Sequence, residues 1–501
     1  MEEVKSRSSR GRLSGFGRRE LIFGAAMAGI GALIGFDVPG SAGGAPPRGP
    51  LSDETKLRHL LRRAGFGAGP AELAGYRQLG LAGTIDRLVN YEAVDNSALD
   101  VRLNRLGLDL TRRPDIGRWW ITRMIYSARP LEEKMTLFWH GMLTSAISKI
   151  GRPEPMVAQN EFFRANAVAR FPDILKGVSM DPAMMLWLDT ATNRKGHPNE
   201  NYARELMELF SLGVGNYTEL DVREAARAFT GWSLSGKLKL GNLKFRFAPG
   251  QHDSGSKTFL GETGNFDGND VVDKLVRQPV SASFVAGKLF AFFAYPNPPT
   301  EVLDPLVAVY QSSDYSIRAL VEAILSSDAF YSPAAYRALI KSPVDYVVGA
   351  ARTLGIETDA KSIPLVLTRM GQELFNPPNV AGWPGGPSWL TSGTWLARLN
   401  LANALVGGAS GGPNGNGPRN VAAGSGVETL FASATSPTDL VDRLADMLLD
   451  GDIELAQRQI LIDYLTPPGH GDRAAVDPSW LDERRRGVLY LMLAMPEYHL
   501  G

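Results

Sequence analysis

The chain contains no cysteine. That absence removes disulfides, thiolate zinc sites, iron–sulfur clusters and cysteine nucleophiles together, so any chemistry here uses oxygen and imidazole. It carries no net charge either, because Lys plus Arg number 53 and Asp plus Glu number 53. Without an overall field, nucleic acid is not an expected partner, and a charged partner has to be met by a local patch. No GxSxG, HExxH, P-loop or dinucleotide-binding fingerprint occurs. The longest apolar run, LIFGAAMAGIGALIGF, has about 16 residues, short of the roughly 20 that a membrane-spanning helix requires.

What is present is an ordinary globular composition: 501 residues, 44 % hydrophobic and 21 % charged. Gly (54) and Pro (32) exceed their usual shares of roughly 7 % and 5 %, which implies many turns and long connections. At the N-terminus Arg10, Arg12, Arg18 and Arg19 precede the apolar run, and the small-residue stretch GSAGGA follows it. This three-part order is that of an export signal. The pair in GRRELIF has the look of a twin-arginine signal, although Gly17 before it and Leu21 after it depart from the usual pattern and leave the general secretory route open. The expectation is therefore a signal peptide over residues 1–45, cleaved near Ala42 or Ala45, and a linker over 46–51. The mature protein would be periplasmic or extracellular, touching a membrane only through its signal.

Helical periodicity dominates the rest. SDETKLRHLLRRAGFG offers Ser52 as N-cap, Leu57, Leu60 and Leu61 on one face, and Gly65 and Gly67 as stops. KLKLGNLKFRF argues instead for a hairpin, with Leu238 and Leu240 facing Leu243, Phe245 and Phe247 around a Gly241-Asn242 turn. Residues 406–426 are glycine-rich and read as a flexible loop. The fold class expected is mainly α: one large multi-helical domain over 52–501 with a small β-hairpin insert.

Four segments are able to carry chemistry. In HPNENYARELMELFSLG a helix begins after Asn199 and, at about 100° per residue, gathers Glu200, Asn201, Arg204, Glu205 and Glu208 on one face. That face is either solvated and held by i,i+4 pairs, or the wall of a cleft in which Glu205 and Glu208 share a cation or act as acid and base beside Arg204. In EKMTLFWHGMLTSA, His140 is either a core residue or a metal ligand. In GQHDSGSKTFLG, His252 and Asp253 form a candidate ligand or acid/base pair, with Lys257 close by for substrate. ELFNPPNVAGWPGGPSWL is a rigid loop whose Trp383 and Trp389 form an aromatic wall for a sugar or peptide, or plug the core. Two functions stay open. One is an exported enzyme, possible divalent-metal cofactor included, with Glu205, Glu208, Arg204, His252 and Asp253 catalytic, His140, Glu205, Glu208 and His252 as ligands, and Asn201, Lys257 and Trp383 binding substrate. The other is a non-catalytic envelope or matrix protein that binds a glycan, a wall polymer or a protein partner.

The segments HLLRRAGFG, EKMTLFWHG, NENYARELMELFSLGVGNYTELDVREAARAFTGW, HDSGSKTFLG, KSPVDYVV, FNPPNVAGWPGG and LMLAMPEYHL together resemble a bacterial family known only as a domain of unknown function, number eighteen hundred. The resemblance implies an exported, mainly helical protein, often encoded beside an exported sulfatase-like protein that would be its partner. Many members carry a second His two places after the position of His140, where this chain has Met142. That departure weakens a His-x-His metal pair on this helix. No activity comes with the resemblance.

If the twin-arginine reading holds, replacing Arg18 and Arg19 together by Lys should leave folded precursor in the cytoplasm, because the receptor reads the pair and not its charge. Normal export of the double variant, followed by cell fractionation, would point to the general route.

Overall fold

The computed structural model describes residues 50–238, 241–406, 425–466 and 478–501. The expected signal over 1–45, most of the linker, Leu240 of the expected hairpin and residues 407–424 of the expected loop lie outside the described residues. Among the described residues there are 22 α-helices and two small two-stranded sheets, which is the mainly α class that the periodicity indicates. The helices that position the candidate site are α1 (Asp53–Ala64), α2 (Arg113–Tyr126), α3 (Pro130–Met142), α4 (Pro153–Ala165), α5 (Asn201–Glu205), α6 (Glu219–Ala228), α7 (Pro279–Phe293), α8 (Pro343–Thr353), α9 (Ser392–Val406), α10 (Pro437–Leu449) and α11 (Pro478–Ala494). The α1 helix starts where its sequence says: the Ser52 hydroxyl accepts the Thr55 N–H at 3.1 Å, Asp53 and Glu54 occupy the positive end, and Arg62 and Arg63 the negative end.

Two apolar cores lie side by side. One joins Leu60 of α1, Met135 and Trp139 of α3, Phe210, Ala225 of α6 and Leu289 of α7. The other joins Trp120 and Met124 of α2, Val344 and Tyr346 of α8, Leu401 of α9, Leu444 of α10 and Leu489 of α11. Helix α3 stands between them and gives residues to both, Leu131, Met135, Phe138 and Trp139 to the first and Leu137 to the second. Every residue from Pro130 to His140 is buried, including three consecutive charges.

Two of those charges are held by close partners from separate elements. The Glu133 carboxylate, fully buried, accepts from Arg123 of α2 at 2.9 Å, from Arg164 of α4 at 2.8 and 3.1 Å, and from the Trp120 indole at 3.1 Å. Burial alone would raise its pKa, but Arg164 and Arg123 outweigh burial and keep it below the ordinary range. Lys134 reaches across to Asp345 of α8 at 2.5 Å. Glu132 has only a looser pair with Arg129, at 3.8 Å, and burial followed by the neighbouring Glu133 pushes it up to about 7.

The hairpin is present, but its first strand is not the expected one. β1 (Trp232–Ser235) pairs with β2 (Lys244–Phe247) in the register Trp232↔Phe247 and Leu234↔Phe245. Gly241 and Asn242 lie in the longer connection, where Gly241 N–H bonds the Leu238 carbonyl and Asn242 Oδ1 accepts from Lys237 N–H. The reason is anchorage. Trp232 packs edge-on against Phe229 of the first core and against Phe245 across the strands, and a ring fixed in the core sets the register for the strand that carries it. A second hairpin, β3 (Lys257–Phe259) with β4 (Glu262–Gly264), turns through Leu260 and Gly261, both with positive φ, as a two-residue primed turn requires.

Replacing Glu133 by Gln should cost on the order of 3 kcal/mol in chemical denaturation, since the buried Arg164 and the largely buried Arg123 lose the carboxylate between them, Arg164 keeping only the Glu161 carboxylate. Glu132→Gln, which removes a carboxyl held only by Arg129 at 3.8 Å, should cost far less. A carboxylate with a depressed pKa lends stability above its ordinary value of 4.5 and loses it as pH falls through the folded value, so wild type should weaken below about pH 4.5 and Glu133→Gln should lose this component.

Candidate functional site

A cleft of 440 Å³ opens where the two cores meet beside α3. Leu137, Phe138, Gly141 and Met142 form one wall, Lys288 and Phe292 of α7 another, and Ser342 and Asp345 at the start of α8 a third. Trp383 and Trp389 close it. The loop that carries them is tied to the segment after α3: the Thr144 hydroxyl donates to the Val380 carbonyl at 2.7 Å, and Ile147 N–H to the Phe375 carbonyl at 2.9 Å. Gly382 has φ +84°, and a Cβ there would run into the carbonyl oxygen of Gly141. The absence of a side chain at position 382 is what lets Trp383 lie against α3.

The cleft is positive. Arg63, Lys134 and Lys288 face a single carboxylate, Asp345. Burial would raise Asp345, but Lys134 and then Arg63 hold it below the ordinary range, and the Ser342 hydroxyl donates to it at 2.8 Å. Arg63 spends Nε and Nη2 on the carbonyls of Phe293 and Phe292, at 2.8 and 2.5 Å, and burial brings its pKa down to about 10. A larger groove of 940 Å³ runs past Tyr76 and Ala128. Its buried cation, Arg352, is already spent on the carbonyls of Gly67, Met124, Ile125 and Ser127 and on Glu72.

The residues singled out from sequence fall in three places. Trp383 is half-buried on the cleft wall, while Trp389 is mostly buried, so both readings of that loop apply, one to each ring. Behind Trp383 lies His140, its ring 5.6 Å from Trp383, 5.3 Å from Trp120 and 5.7 Å from Phe375. Its Nε2 is buried without a hydrogen-bond partner, and burial lowers its pKa to about 3, so it is a neutral imidazole in an aromatic cage.

The second place is the helix after Asn199. It is α-helical only over Asn201–Glu205 and then widens into a π-helix over Leu206–Ser211, in which Leu212 N–H bonds the Met207 carbonyl and the Ser211 hydroxyl the Leu206 carbonyl. The uniform wheel therefore does not hold past Glu205. Arg204 is engaged with Glu219 at 2.7 Å and with Glu200, Asn201 is exposed, and Glu208 accepts from the Tyr217 hydroxyl at 2.8 Å. Glu205 is raised by burial and by Glu208, against the pull of Arg204. Leu209 from the π segment reaches the cleft wall.

In the third place His252 Nδ1 meets the Thr230 carbonyl at 2.8 Å, and Asp253 pairs with Arg227 at 2.8 Å, which holds its pKa down to about 2. Lys257 is buried and donates to the Gly255 carbonyl at 3.1 Å and to Asn265 at 3.3 Å. Asp253 and Lys257 thus brace the loop between the hairpins. Among the described residues no three His, Asp or Glu side chains are grouped to hold a metal ion, so His140, Glu205, Glu208 and His252 do not form one centre.

Sequence reasoning passed over Arg63, Lys134, Lys288 and Asp345. A signal existed for Lys134, a cation amid the apolar positions of an otherwise buried helix, and for Asp345, three places after the Ser342 cap.

The fold and cleft define a multi-helical protein with an aromatic, cationic cleft at the junction of two cores. The profile described as "Protein of unknown function (DUF1800)" matches residues 59–500, and the chain belongs to that family. No curated protein and no solved structure matches it.

Glu205→Gln relieves a half-buried like-charge pair, so it should leave the melting temperature unchanged or slightly higher, by less than about 1 kcal/mol after solvent screening. A loss of several kcal/mol would mean that Glu205 is matched by a cation.

Proposed function

We propose that the chain is an exported binding protein for an acidic glycan, held in the cleft between α3, α7, α8 and the Trp383 loop. The observation that supports this most is the half-buried Trp383 indole beside an excess of positive charge, Arg63, Lys134 and Lys288 against Asp345, in one cavity of ligand size. Indole faces cover the apolar C–H face of a sugar ring, and Lys134, Lys288 and Arg63 supply charge-assisted donors for a carboxylate or sulfate ester. The same wall argues for binding over hydrolysis. Glycoside cleavage as commonly built needs two carboxyl groups across the bond, and Asp345, the one carboxylate present, is already neutralised by Lys134. A catalytic role rests instead on the Glu205 carboxyl, whose raised pKa suits proton transfer, in a stretch that does not share the aromatic wall.

Titration of the full mature protein with oligogalacturonate, followed by indole fluorescence and calorimetry, tests the binding reading. Binding should weaken as salt rises, and Trp383→Ala should lower affinity at least tenfold while leaving the melt near wild type. Equal affinity for a neutral malto-oligosaccharide would remove the cationic part of the reading. No binding to either, or full affinity in Trp383→Ala, would sink it.

A further inference from the structure

Beneath the cleft, between α1, α8, α10 and the last residues, lies a second cavity of about 50 Å³. Arg58, Arg62, Arg63 and Lys341 stand on its wall, with Asp345 and Asp450. Most of these charges are matched: Arg58 with Glu54 at 2.7 Å, Arg62 with Asp450 at 2.7 Å, and Asp345 with Lys134 at 2.5 Å. Arg63 and Lys341 are left over. Arg63 meets only carbonyl oxygens through Nε and Nη2, which leaves Nη1 uncommitted. Lys341 is 93 % buried, at 7 % exposure, and its ammonium lies 3.8 Å from the centre of the Tyr498 ring with neither a hydrogen bond nor an ion pair among the described residues. Arg62 adds two buried donors without partners, Nε and Nη2.

Unmatched buried cations are costly, and an arginine does not escape by losing its proton. A recess lined by spare N–H donors relieves that cost if an anion occupies it. The volume selects the size. One water needs roughly 10–15 Å³ measured this way, so the cavity has room for about four water-sized bodies, the four oxygens of a tetrahedral oxyanion. The planar forks of Arg62 and Arg63 suit such oxygens better than a single spherical ion. We infer that this cavity is a binding site for a tetrahedral oxyanion of phosphate or sulfate type, held by Lys341, Arg62 and Arg63. The inference does not depend on the glycan reading, since Lys341 and Arg62 are not on the cleft wall.

Equilibrium dialysis of the full mature protein against inorganic phosphate, with melts in parallel at constant ionic strength, tests it. Wild type should take up about one phosphate per chain, and its melting temperature should rise by on the order of 5 °C at a hundred times Kd and then level off. Levelling off matters, because the general salting effect of phosphate and sulfate rises without saturation. Sulfate should displace phosphate, and chloride should not. Lys341→Met should abolish the uptake and, in anion-free buffer, melt at or above wild type because a buried repulsion is gone. Should that variant fail to fold, wild-type uptake with sulfate competition decides alone. Absence of saturable uptake by wild type would overturn the inference, as would undiminished uptake by Lys341→Met or equal displacement by chloride.

Discussion

The structure depends on α3 being buried on all sides while carrying Glu132, Glu133 and Lys134 in succession. A helix with an exposed face would turn such residues outward. Enclosed by two cores, this one draws close opposite charges to two of the three, while Glu132 has only Arg129 at 3.8 Å and a raised pKa. Glu133 draws Arg123 from α2 and Arg164 from α4, and Lys134 draws Asp345 from α8. Apolar burial is indifferent to rotation and sliding, whereas a buried bidentate contact is not. The ion pairs of α3 therefore specify how α2, α4 and α8 sit around it, whether or not they add net stability over an apolar substitute.

The same constraint creates the cleft. Where the cores meet, the helices are joined through polar groups, and long cationic side chains do not fill space as densely as interlocking aliphatic ones. Two cavities remain along this seam, and they share Arg63 and Asp345 as common wall. The aromatic rings on the upper one are fixed before any ligand arrives. Gly382 lies against Gly141, Trp383 rests on His140, and His140 is kept neutral by the indole and phenyl groups around it. A side chain that is already placed loses little freedom on binding, which favours affinity.

The sequence makes the helices legible because their signals are local. Ser52 caps α1 and the apolar positions repeat at the helical period. It makes the first hairpin legible only in part, since the register is decided by Trp232 seated against Phe229, a contact that no alternation of Leu and Phe encodes. The wheel drawn from Asn199 fails after Glu205 for a different reason. One extra residue per turn in the π segment rotates everything beyond it, and nothing in LMELFS announces the change. Glu205 and Glu208 stay neighbours, but His140 and His252, on other elements and in other surroundings, do not join them.

The cleft was the least legible part because its charge comes from pairs far apart in sequence. Arg63, Lys134, Lys288 and Asp345 are spread over nearly three hundred residues, and the signals for Lys134 and Asp345, read singly, do not say that the four meet. The family match covers 59–500 and so includes both cores but for Leu57, and every residue of the cleft wall. A unit that contained only the first core would hold Lys134 without Asp345, and one that contained only the second would hold Asp345 without Lys134. Either half would bury an unmatched charge. The cleft and the pairing that supports it therefore belong to the two cores together.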